Sequence, residues 1–546
     1  MRVDDSTLFL RKATGLVRAW SLFDAFVYAF FSINLVTLGF YIISQMWFLE
    51  GALIPTLVLS AVIILAEVVV YASLIAVMPR AGGDYVWQSR ILGGGIGFML
   101  AVTGWFFILW LWTPLYADML RHIFFVPLLA VLGFRDAALW FAWQPSAWFL
   151  VCVLTVSYVA LIIALGMKTY ARIQKFCFWT GNAGLLVICL FLLFGSNAGF
   201  QAGLEANATN LLGAAPGVYQ ATISAGEAAG GVQPLAGSSL GAIFLALPYI
   251  VFFNLWPNWG ATLYGEVKGA DDFKRNFLGM ALGLLVTTGL AIVLYLLMSR
   301  TLTWEFYRGA NAAYWNYRWG FTKTAPPFPV WPYPALLVAF MTTNPLLQFV
   351  LLLAMSMWFF GWAGTMFLSS TRVIFAAAFD RLLPEFVARV DPRTRTPIWA
   401  LMLMVVPALF ISALYCYDIF GFQSLTLVST LVIAVTFLGS TFAAIVLPYT
   451  KPDLYNASPI AKYKVAGIPL ITVAGVIFGA FVVFLLYQWL IDPNELYGIS
   501  YRNSASIIFM LVLYGLALAL YLGARIYRRT RDGIDLGMVY REIPVD

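Results

Sequence analysis

The chain has 546 residues, of which 62% are hydrophobic and 10% are charged, and its formal net charge is +7. An ordinary soluble domain carries roughly 25% charged residues, so the composition excludes a soluble globular protein and a disordered chain. The basic residues stand in short clusters between long apolar runs, which is typical of signals for membrane orientation and argues against a nucleic-acid partner. Cys152, Cys177, Cys189 and Cys416 lie inside apolar runs without metal-binding or redox spacing, so we expect free thiols.

Twelve apolar runs are long enough to cross a membrane as helices, each of which needs about 20 residues. Because the runs are continuously apolar and do not alternate, the sequence predicts an all-α polytopic membrane protein and not a β-barrel. In chain order the runs cover residues 19–46, 51–78, 95–120, 146–166, 172–195, 240–265, 277–299, 336–370, 397–416, 424–447, 467–490 and 505–527. A further run at 122–132 is too short to cross and predicts an extracellular or interfacial helix.

The distribution of lysine and arginine predicts the orientation of these runs. With the N-terminus in the cytoplasm, 25 of the 32 basic residues fall in cytoplasmic segments, so we expect both termini on the cytoplasmic side of the cell membrane. The first run is too long for the core of a signal peptide and lacks a small-residue cleavage site, so we expect it to stay as a helix. The longest extramembrane segments, 196–239 and 300–335, cannot bury an independent core, which predicts one membrane domain.

Two of the runs carry residues that interrupt a helix. In the sixth run Pro257 removes a backbone donor, Gly260 weakens the helix, and Asn254 and Asn258 can bond the freed backbone groups. The first run has a weaker interruption at 31–39. The alternatives are an ordinary proline kink in the sixth run and helix–helix hydrogen bonding in the first. Interrupted helices five spans apart predict a transporter with inverted repeats and a site at the middle of the membrane.

Three segments resemble those of the amino acid–polyamine–organocation (APC) transporter family. The segment PRAGGDYVW at 79–87 is similar to the family's P-x-[AS]-G-G-x-Y after the second span, and YGEVK at 264–268 resembles the close of its sixth span. Residues 369–397, from SSTRVIF through DRLLP to RTP, resemble its signature after the eighth span. The three segments stand in the family's order and anchor most of residues 15–450.

The resemblance implies a LeuT-like fold with twelve transmembrane helices. Spans 1–5 and 6–10 would form a 5+5 inverted repeat with discontinuous helices 1 and 6, and the last two helices would be peripheral. The cytoplasmic N-terminus would be 1–18, the first repeat 19–195 and the extracellular loop 196–239. The second repeat would be 240–447, the last two spans 467–527 and the cytoplasmic C-terminus 528–546.

The sequence departs from the family at two positions. The usual Gly-x-Gly of span 1 is absent, and the stretch from Ser32 to Gly39 takes its place. Some proton-coupled relatives carry a lysine in span 5, at a position that counting from Gly166 assigns to Gly181 here. The second departure removes the lysine route to proton coupling.

A zwitterionic amino acid needs both of its charges satisfied at the middle of the membrane. Free amides at the half-helix N-termini of spans 1 and 6 suit its carboxylate, and unwound carbonyls suit its ammonium. The resemblance places the substrate between these breaks, with walls from spans 3 and 8. The predicted contacts are Ser32, Ile33, Asn34, Leu35, Trp105, Phe253, Asn254, Leu255, Trp256, Trp358 and Phe359. Their aromatic rings indicate an apolar, aromatic or cationic substrate group, and plain core packing is the alternative.

Na⁺ or H⁺ is the expected coupling ion, and no other cofactor is expected. Similar hydroxyls in sodium-coupled relatives of the fold hold Na⁺ together with span-1 carbonyls, which here implicates Ser369 and Ser370 with carbonyls near Ala25 or Tyr28. Glu67 is the main carboxylate inside a predicted span, and such a group either titrates or bonds a neighbouring helix in its protonated form.

We therefore expect a secondary active transporter, or permease, for amino acids or closely related small zwitterions and organocations. It would work by alternating access as a symporter or antiporter, with the substrate and the lipid bilayer as its partners. A transport-dead amino-acid sensor or a channel of the same fold is the alternative. An enzyme with catalytic residues is not expected, because the single histidine, His122, lies outside the predicted spans. No Walker motif is present to bind ATP, which argues against primary transport.

Overall fold

The computed structural model describes residues 16–48, 52–230, 239–492, 497 and 500–541, without the side chains of 424 and 426–428. The predicted N-terminus, C-terminus and long loop therefore lie partly outside the described residues. Regular structure in the described part is helical, except for a two-stranded antiparallel hairpin of Lys464–Val465 and Ile468–Pro469.

Twelve helices in the described part of the chain are long and apolar enough to cross a membrane. This confirms the predicted all-α polytopic class. Spans 1 to 12 are, in chain order, Leu22–Ser44, Leu53–Val77, Gly94–Val131, Pro145–Ala164, Met167–Phe194, Leu240–Glu266, Phe273–Arg318, Pro345–Phe379, Ile398–Cys416, Ser429–Thr450, Leu470–Ile491 and Ser504–Arg531.

Shorter helices join the spans at the two faces of the bundle. Trp20 precedes span 1 and Tyr540 follows span 12, so both lie at the same face of the bundle. We call this face the terminal face and the opposite face the loop face. The terminal-face helices are Asp84–Ile91, Glu385–Ala388, Pro452–Asn456 and Leu536–Val539. The loop-face helices are Arg135–Trp143, Asn197–Asn207, Ala208–Leu212, Val218–Ala228, Pro334–Ala339 and Ile419–Leu425.

Five spans are divided into shorter helical segments. Their segments are Leu22–Ile33, Leu35–Gly39 and Phe40–Ser44 in span 1; Gly94–Val102, Thr103–Phe107, Ile108–Leu120, Arg121–Phe125 and Val126–Val131 in span 3; Leu240–Asn254 and Pro257–Glu266 in span 6; Phe273–Met298, Ser299–Thr303 and Trp304–Arg318 in span 7; and Pro345–Trp362 and Thr365–Phe379 in span 8. In spans 1, 6 and 8 the helix stops and restarts, at Asn34, at 255–256 and at 363–364.

The predicted end of span 3 at 120 is wrong, because the helix continues through the run at 122–132 to Val131. The polar residues Arg121 and His122 do not end the helix, since both side chains are buried beside the carboxylate of Asp118. The charge of Arg121 is paired inside the bundle, so the helix extends past it.

The predicted start of span 8 at 336 is also wrong. Residues Pro334–Ala339 form a helix of their own, and span 8 begins at Pro345. Asn344 sets this start, because its side-chain oxygen accepts hydrogen bonds from the amides of Leu346 and Leu347. Such an N-cap satisfies amides that have no partner inside the helix.

Span 1 is broken at the predicted place. Its first helix ends at Asn34, which adopts a left-handed conformation with φ 43°. Asparagine tolerates this conformation better than most residues. The Asn34 side chain holds the break in place: its oxygen accepts from the Thr37 amide at 2.9 Å, and its nitrogen donates to the Trp358 carbonyl of span 8 at 3.0 Å.

Span 6 is also broken where the sequence predicts it. Its α-helix ends at Asn254, and a 3₁₀ helix begins at Pro257, which has no backbone N–H to continue the α-helical ladder. The first helix of span 1 packs against this 3₁₀ helix. The two breaks therefore lie beside each other in the bundle.

Candidate functional site: an aromatic cavity between the broken spans

A cavity of about 640 Å³ lies between spans 1, 3, 6 and 8. It opens toward the loop face, where Trp319 and Phe321, 40% and 74% exposed, line its mouth. The lining is mainly aromatic, with Tyr41, Trp112, Tyr116, Trp148, Phe252, Trp256, Trp259, Trp315, Trp319, Phe321, Trp362 and Tyr415. Such a cavity suits a ligand with a substantial apolar part.

Trp259, in the wall of the cavity, contacts two neighbouring spans. Its ring stacks on Trp112 at 5.7 Å and packs on Trp105 at 4.4 Å, both from span 3. Its indole N–H donates to the Thr365 carbonyl of span 8 at 2.9 Å. The 3₁₀ segment of span 6 is thereby held against spans 3 and 8.

A second stacked pair forms the wall between spans 3 and 8. The rings of Tyr116 and Trp362 lie 3.8 Å apart and within 10° of parallel. The Tyr116 hydroxyl also lies 3.3 Å from the Thr365 hydroxyl. Neither aromatic residue was among the predicted contacts.

A buried charge cluster stands at the mouth of the cavity. Asp118 of span 3 pairs with Arg121 and with Arg318, the last residue of span 7, and accepts a hydrogen bond from Tyr41 of span 1 at 2.6 Å. Arg318 also lines the cavity. With two guanidinium groups for one carboxylate, the cluster carries a net positive charge.

Ser32 and Trp256 are the predicted contacts that line the cavity. The Ser32 hydroxyl donates to the Tyr28 carbonyl at 2.8 Å, and the Trp256 indole donates to the Phe252 carbonyl at 2.7 Å. Both bonds satisfy backbone carbonyls near the breaks, so the two side chains are fixed at the edge of the cavity.

The remaining predicted contacts lie behind the cavity wall. Ile33, Asn34 and Leu35 are buried in the turn of span 1, and Leu255 is buried in the break of span 6. Asn254 accepts a hydrogen bond from Ser60 of span 2. These residues shape the two breaks.

The other aromatic predictions also lie outside the lining. Phe253 packs against Gly39, where a Cβ would stand 2.9 Å from its ring. Trp358 faces span 5, where Gly181 leaves room for its indole. Phe359 is buried beside Trp362.

The wall residues of span 3 that were not predicted stand at helical spacing from Trp105, which was predicted. Trp112, Tyr116 and Met119 lie seven, eleven and fourteen residues beyond Trp105, which places them on the same face of span 3. The face was therefore predictable from the sequence. The depth of the cavity along that face was not.

Two of the predicted sodium ligands take part in a hydrogen-bond chain. Ser369 donates to the Trp259 carbonyl at 2.8 Å, so Tyr28, 2.9 Å away, donates to the Ser369 oxygen. Ser370 is buried without a hydrogen-bond partner, and Ala25 lies near Tyr28 on span 1. The chain links spans 1, 6 and 8 below the cavity.

The terminal face is closed by ion pairs. Arg372 of span 8 pairs with Glu266 at the end of span 6 at 2.7 Å, and both side chains are buried. Lys175 of span 5 pairs with Asp24 of span 1 at 3.0 Å. Trp20 adds backbone hydrogen bonds to the end of span 6, donating to Glu266 and accepting from the amide of Lys268.

The helix after span 2 contributes a further buried carboxylate. The Asp84 oxygen Oδ1 accepts from Tyr71 at 2.8 Å and from Ser440 at 2.5 Å. Burial raises the pKa of Asp84 to about 6, although these two donors favour its charged form. In the same helix Arg90 pairs with Asp380, which also accepts from Tyr85.

The sequence matches the amino acid permease family over residues 21–517. No individually curated protein matches the chain. The match covers both broken helices, the cavity and the twelve spans except the end of the last. The chain therefore belongs to the amino acid permease family and is a multi-pass membrane protein of a class that transports amino acids.

Proposed function

We propose that the chain is a secondary active transporter that carries amino acids across the cell membrane by alternating access, and that this structure is its outward-facing state. The observation that carries the proposal is the cavity, whose described lining borders both breaks and reaches the loop face. The Arg372–Glu266 and Lys175–Asp24 pairs stand between it and the other face. An excess of basic residues in the segments at the terminal face supports a cytoplasmic position for that face.

We place the substrate carboxylate at the restart of span 1. The Asn34 side chain caps the amide of Thr37, whereas the first-turn amides of Leu35 and Val36 precede this cap. First-turn amides have no acceptor within their own helix, and the positive end of the helix dipole favours an anion. Ser32 lines the cavity beside this turn.

The charge at the cavity mouth favours a substrate that carries a carboxylate. Arg318 lines the cavity, and its partner Asp118 is shared with Arg121. No aspartate or glutamate is among the described residues of the lining. A polycation would therefore meet positive charge without an acidic partner, whereas a zwitterion or an anion is attracted.

The alternatives are a channel and a transport-dead sensor of the same fold. A channel needs a continuous pore through which ions pass, and a sensor needs binding without exchange of the two access states. The closed terminal face argues against the channel. The sensor is separated from the carrier by flux measurements.

Counterflow in proteoliposomes tests the carrier directly. Vesicles are loaded with one of the twenty amino acids, and the labelled form of the same amino acid is added outside. When that amino acid is the substrate, the vesicles should transiently accumulate the label, and the initial uptake rate should saturate with its concentration. Ser32→Trp should abolish this accumulation by filling the cavity, and Asn254→Ala should lower it by releasing the Ser60 contact. Both variants should keep the wild-type yield of monodisperse protein.

Gly289→Ala is the matched control, because a Cβ at Gly289 meets no atom within 4 Å. It should leave counterflow unchanged. Linear, unsaturable uptake would favour a channel, and ligand-induced thermal stabilisation without flux would favour a sensor. Unaltered counterflow in both Ser32→Trp and Asn254→Ala would overturn the assignment of the site.

A further inference from the structure

Span 2 carries a carboxylate that the proposed transport site does not use. Glu67 is fully buried, and neither of its carboxylate oxygens has a hydrogen-bond partner among the described residues. An ionised carboxylate without donors is strongly disfavoured inside a membrane protein. Glu67 therefore fits this conformation as the neutral acid.

Glu67 lies between two polar contacts on one face of span 2. It stands seven residues after Ser60 and four before Tyr71. Ser60 donates to the side-chain oxygen of Asn254 at the span-6 break at 2.9 Å, and Tyr71 donates to Asp84 at 2.8 Å. This face of span 2 thus connects the broken helix to a second buried carboxylate.

Tyr71, one turn after Glu67 on span 2, donates to Asp84 and brings that carboxylate to the same face of the span. One oxygen of Asp84 accepts two hydrogen bonds, and the other has no partner. Two carboxylates that interact in a buried region cannot both be ionised at low cost, so they titrate as a pair. The Trp105 indole adjoins Asp84 and packs on Trp259, which connects the pair to the cavity wall.

No cationic side chain among the described residues balances this pair. The ionisable groups on spans 6, 10 and 11, on the segment Phe273–Met298 of span 7 and on the helix Asp84–Ile91, all of which pack near Glu67, are otherwise engaged or exposed. Glu266 and Arg90 are in ion pairs, Lys274, Arg275, Tyr449 and Tyr487 are exposed, and Tyr85, Tyr249, Tyr264 and Tyr295 are phenols that stay neutral at physiological pH.

We propose that Glu67 and Asp84 form the proton-binding site of this transporter and share one proton in the outward-facing state. The inference rests on the proposed transport function and identifies H⁺ as its coupling ion. The Ser369 hydroxyl is already bonded to Tyr28 and Trp259, which leaves the Glu67–Asp84 pair as the better ion site.

The span-6 break supplies a way for the proton to control the cavity. The amide nitrogens of Asn254 and Asn258 are buried and without partners. Once the pair is fully ionised, these donors can turn toward it. Asn254 would then lose its contact with Ser60, and the segment that carries Trp256 and Trp259 would shift.

Infrared difference spectroscopy of the purified protein tests the site without a substrate. Between about pH 5 and about pH 9, a range that brackets raised carboxyl pKa values, the wild-type chain should lose the carbonyl stretching band of a protonated carboxylic acid. Glu67→Gln should remove the Glu67 part of this band and leave the part that belongs to Asp84, and Asp84→Asn should do the reverse. Glu385→Gln, at an exposed carboxylate, is the matched control and should leave it unchanged.

A band that is insensitive to Glu67→Gln would overturn the proposal, as would a Glu67 band that persists unchanged over the whole pH range. Thermal stabilisation of the wild type by Na⁺, lost in Glu67→Gln, would instead assign the pair to sodium and contradict the proton site.

Transport distinguishes failure of the coupling from failure of the carrier. Wild-type vesicles should accumulate the amino acid that supports counterflow when an inward proton gradient is imposed. In Glu67→Gln, the ratio of gradient-driven accumulation to counterflow should fall to its value without a gradient. An unchanged ratio contradicts the proton site, whereas loss of counterflow in the wild type contradicts the carrier itself.

Discussion

Asn34 shows how a single side chain replaces a backbone feature of the family. The left-handed turn at Asn34 takes the place of the glycines that relatives use in span 1. Its side chain then makes two hydrogen bonds that glycine cannot, to the Thr37 amide and to the Trp358 carbonyl. The break is therefore fixed both within span 1 and against span 8.

The buried carboxylate of Asp84 should make the stability of the chain depend on pH. Its pKa is raised by burial to about 6 in the folded chain, above about 3.9 in the unfolded chain. A raised carboxyl pKa stabilises the fold below the unfolded value, and this stabilisation is lost as the pH rises through the folded value. The free energy of unfolding should fall by about 3 kcal/mol at most between pH ~4 and pH ~7.

Denaturation of the detergent-solubilised chain across this pH range measures the effect. Asp84→Asn keeps an oxygen for the Tyr71 and Ser440 donors but cannot ionise, so its stability should be flatter with pH. A wild-type stability that rises over the same interval would contradict the assignment.

At the scale of elements, the turn after span 2 is packed directly onto the 3₁₀ segment of span 6. The amide of Gly82 donates to the Thr262 carbonyl at 2.8 Å. A Cβ at Gly83 would stand 2.9 Å from the Thr262 backbone, and one at Gly265 would stand 2.4 Å from the Ala81 amide. The glycines of the family segment therefore permit contact between two backbones.

Gly83→Ala should destabilise the chain by about 1–3 kcal/mol, because the added methyl group must displace backbone. Gly289→Ala, in open space on a helix, should be neutral or slightly stabilising. Thermal denaturation monitored by tryptophan fluorescence compares the two. Equal melting temperatures for both variants would show that the packing of this turn against span 6 does not contribute to stability.

Much of this architecture follows from the sequence. The twelve spans follow from apolar length, and both breaks follow from Asn34 and from Pro257 with its flanking asparagines. The cavity walls do not, because hydropathy identifies a helix without giving its depth or rotation against its neighbours. Thus the stacked pair Tyr116–Trp362 lies one or more turns away from the predicted residues Trp105 and Trp358.

At the scale of the whole molecule, the two faces of the bundle differ. The loop face gives access to an aromatic cavity with net positive charge at its mouth. The terminal face is sealed by the Arg372–Glu266 pair and by the backbone pairing of Trp20 with the end of span 6. In the alternating-access cycle that we propose, these contacts would open while the mouth closes, and the breaks in spans 1 and 6 would serve as the hinges.

Labelling of single cysteines from outside tests the position of the cavity most directly. Ser32 lines the cavity, whereas its neighbour Ile33 is 0% exposed and outside the lining. In cells, and with the four native cysteines replaced by serine, Ser32→Cys should react with a membrane-impermeant maleimide, and the amino acid that supports counterflow should slow this reaction. Ile33→Cys and the cysteine-free parent should not react. Labelling of Ile33→Cys as fast as Ser32→Cys, or labelling of Ser32→Cys that no amino acid slows, would contradict a substrate site at the broken helices.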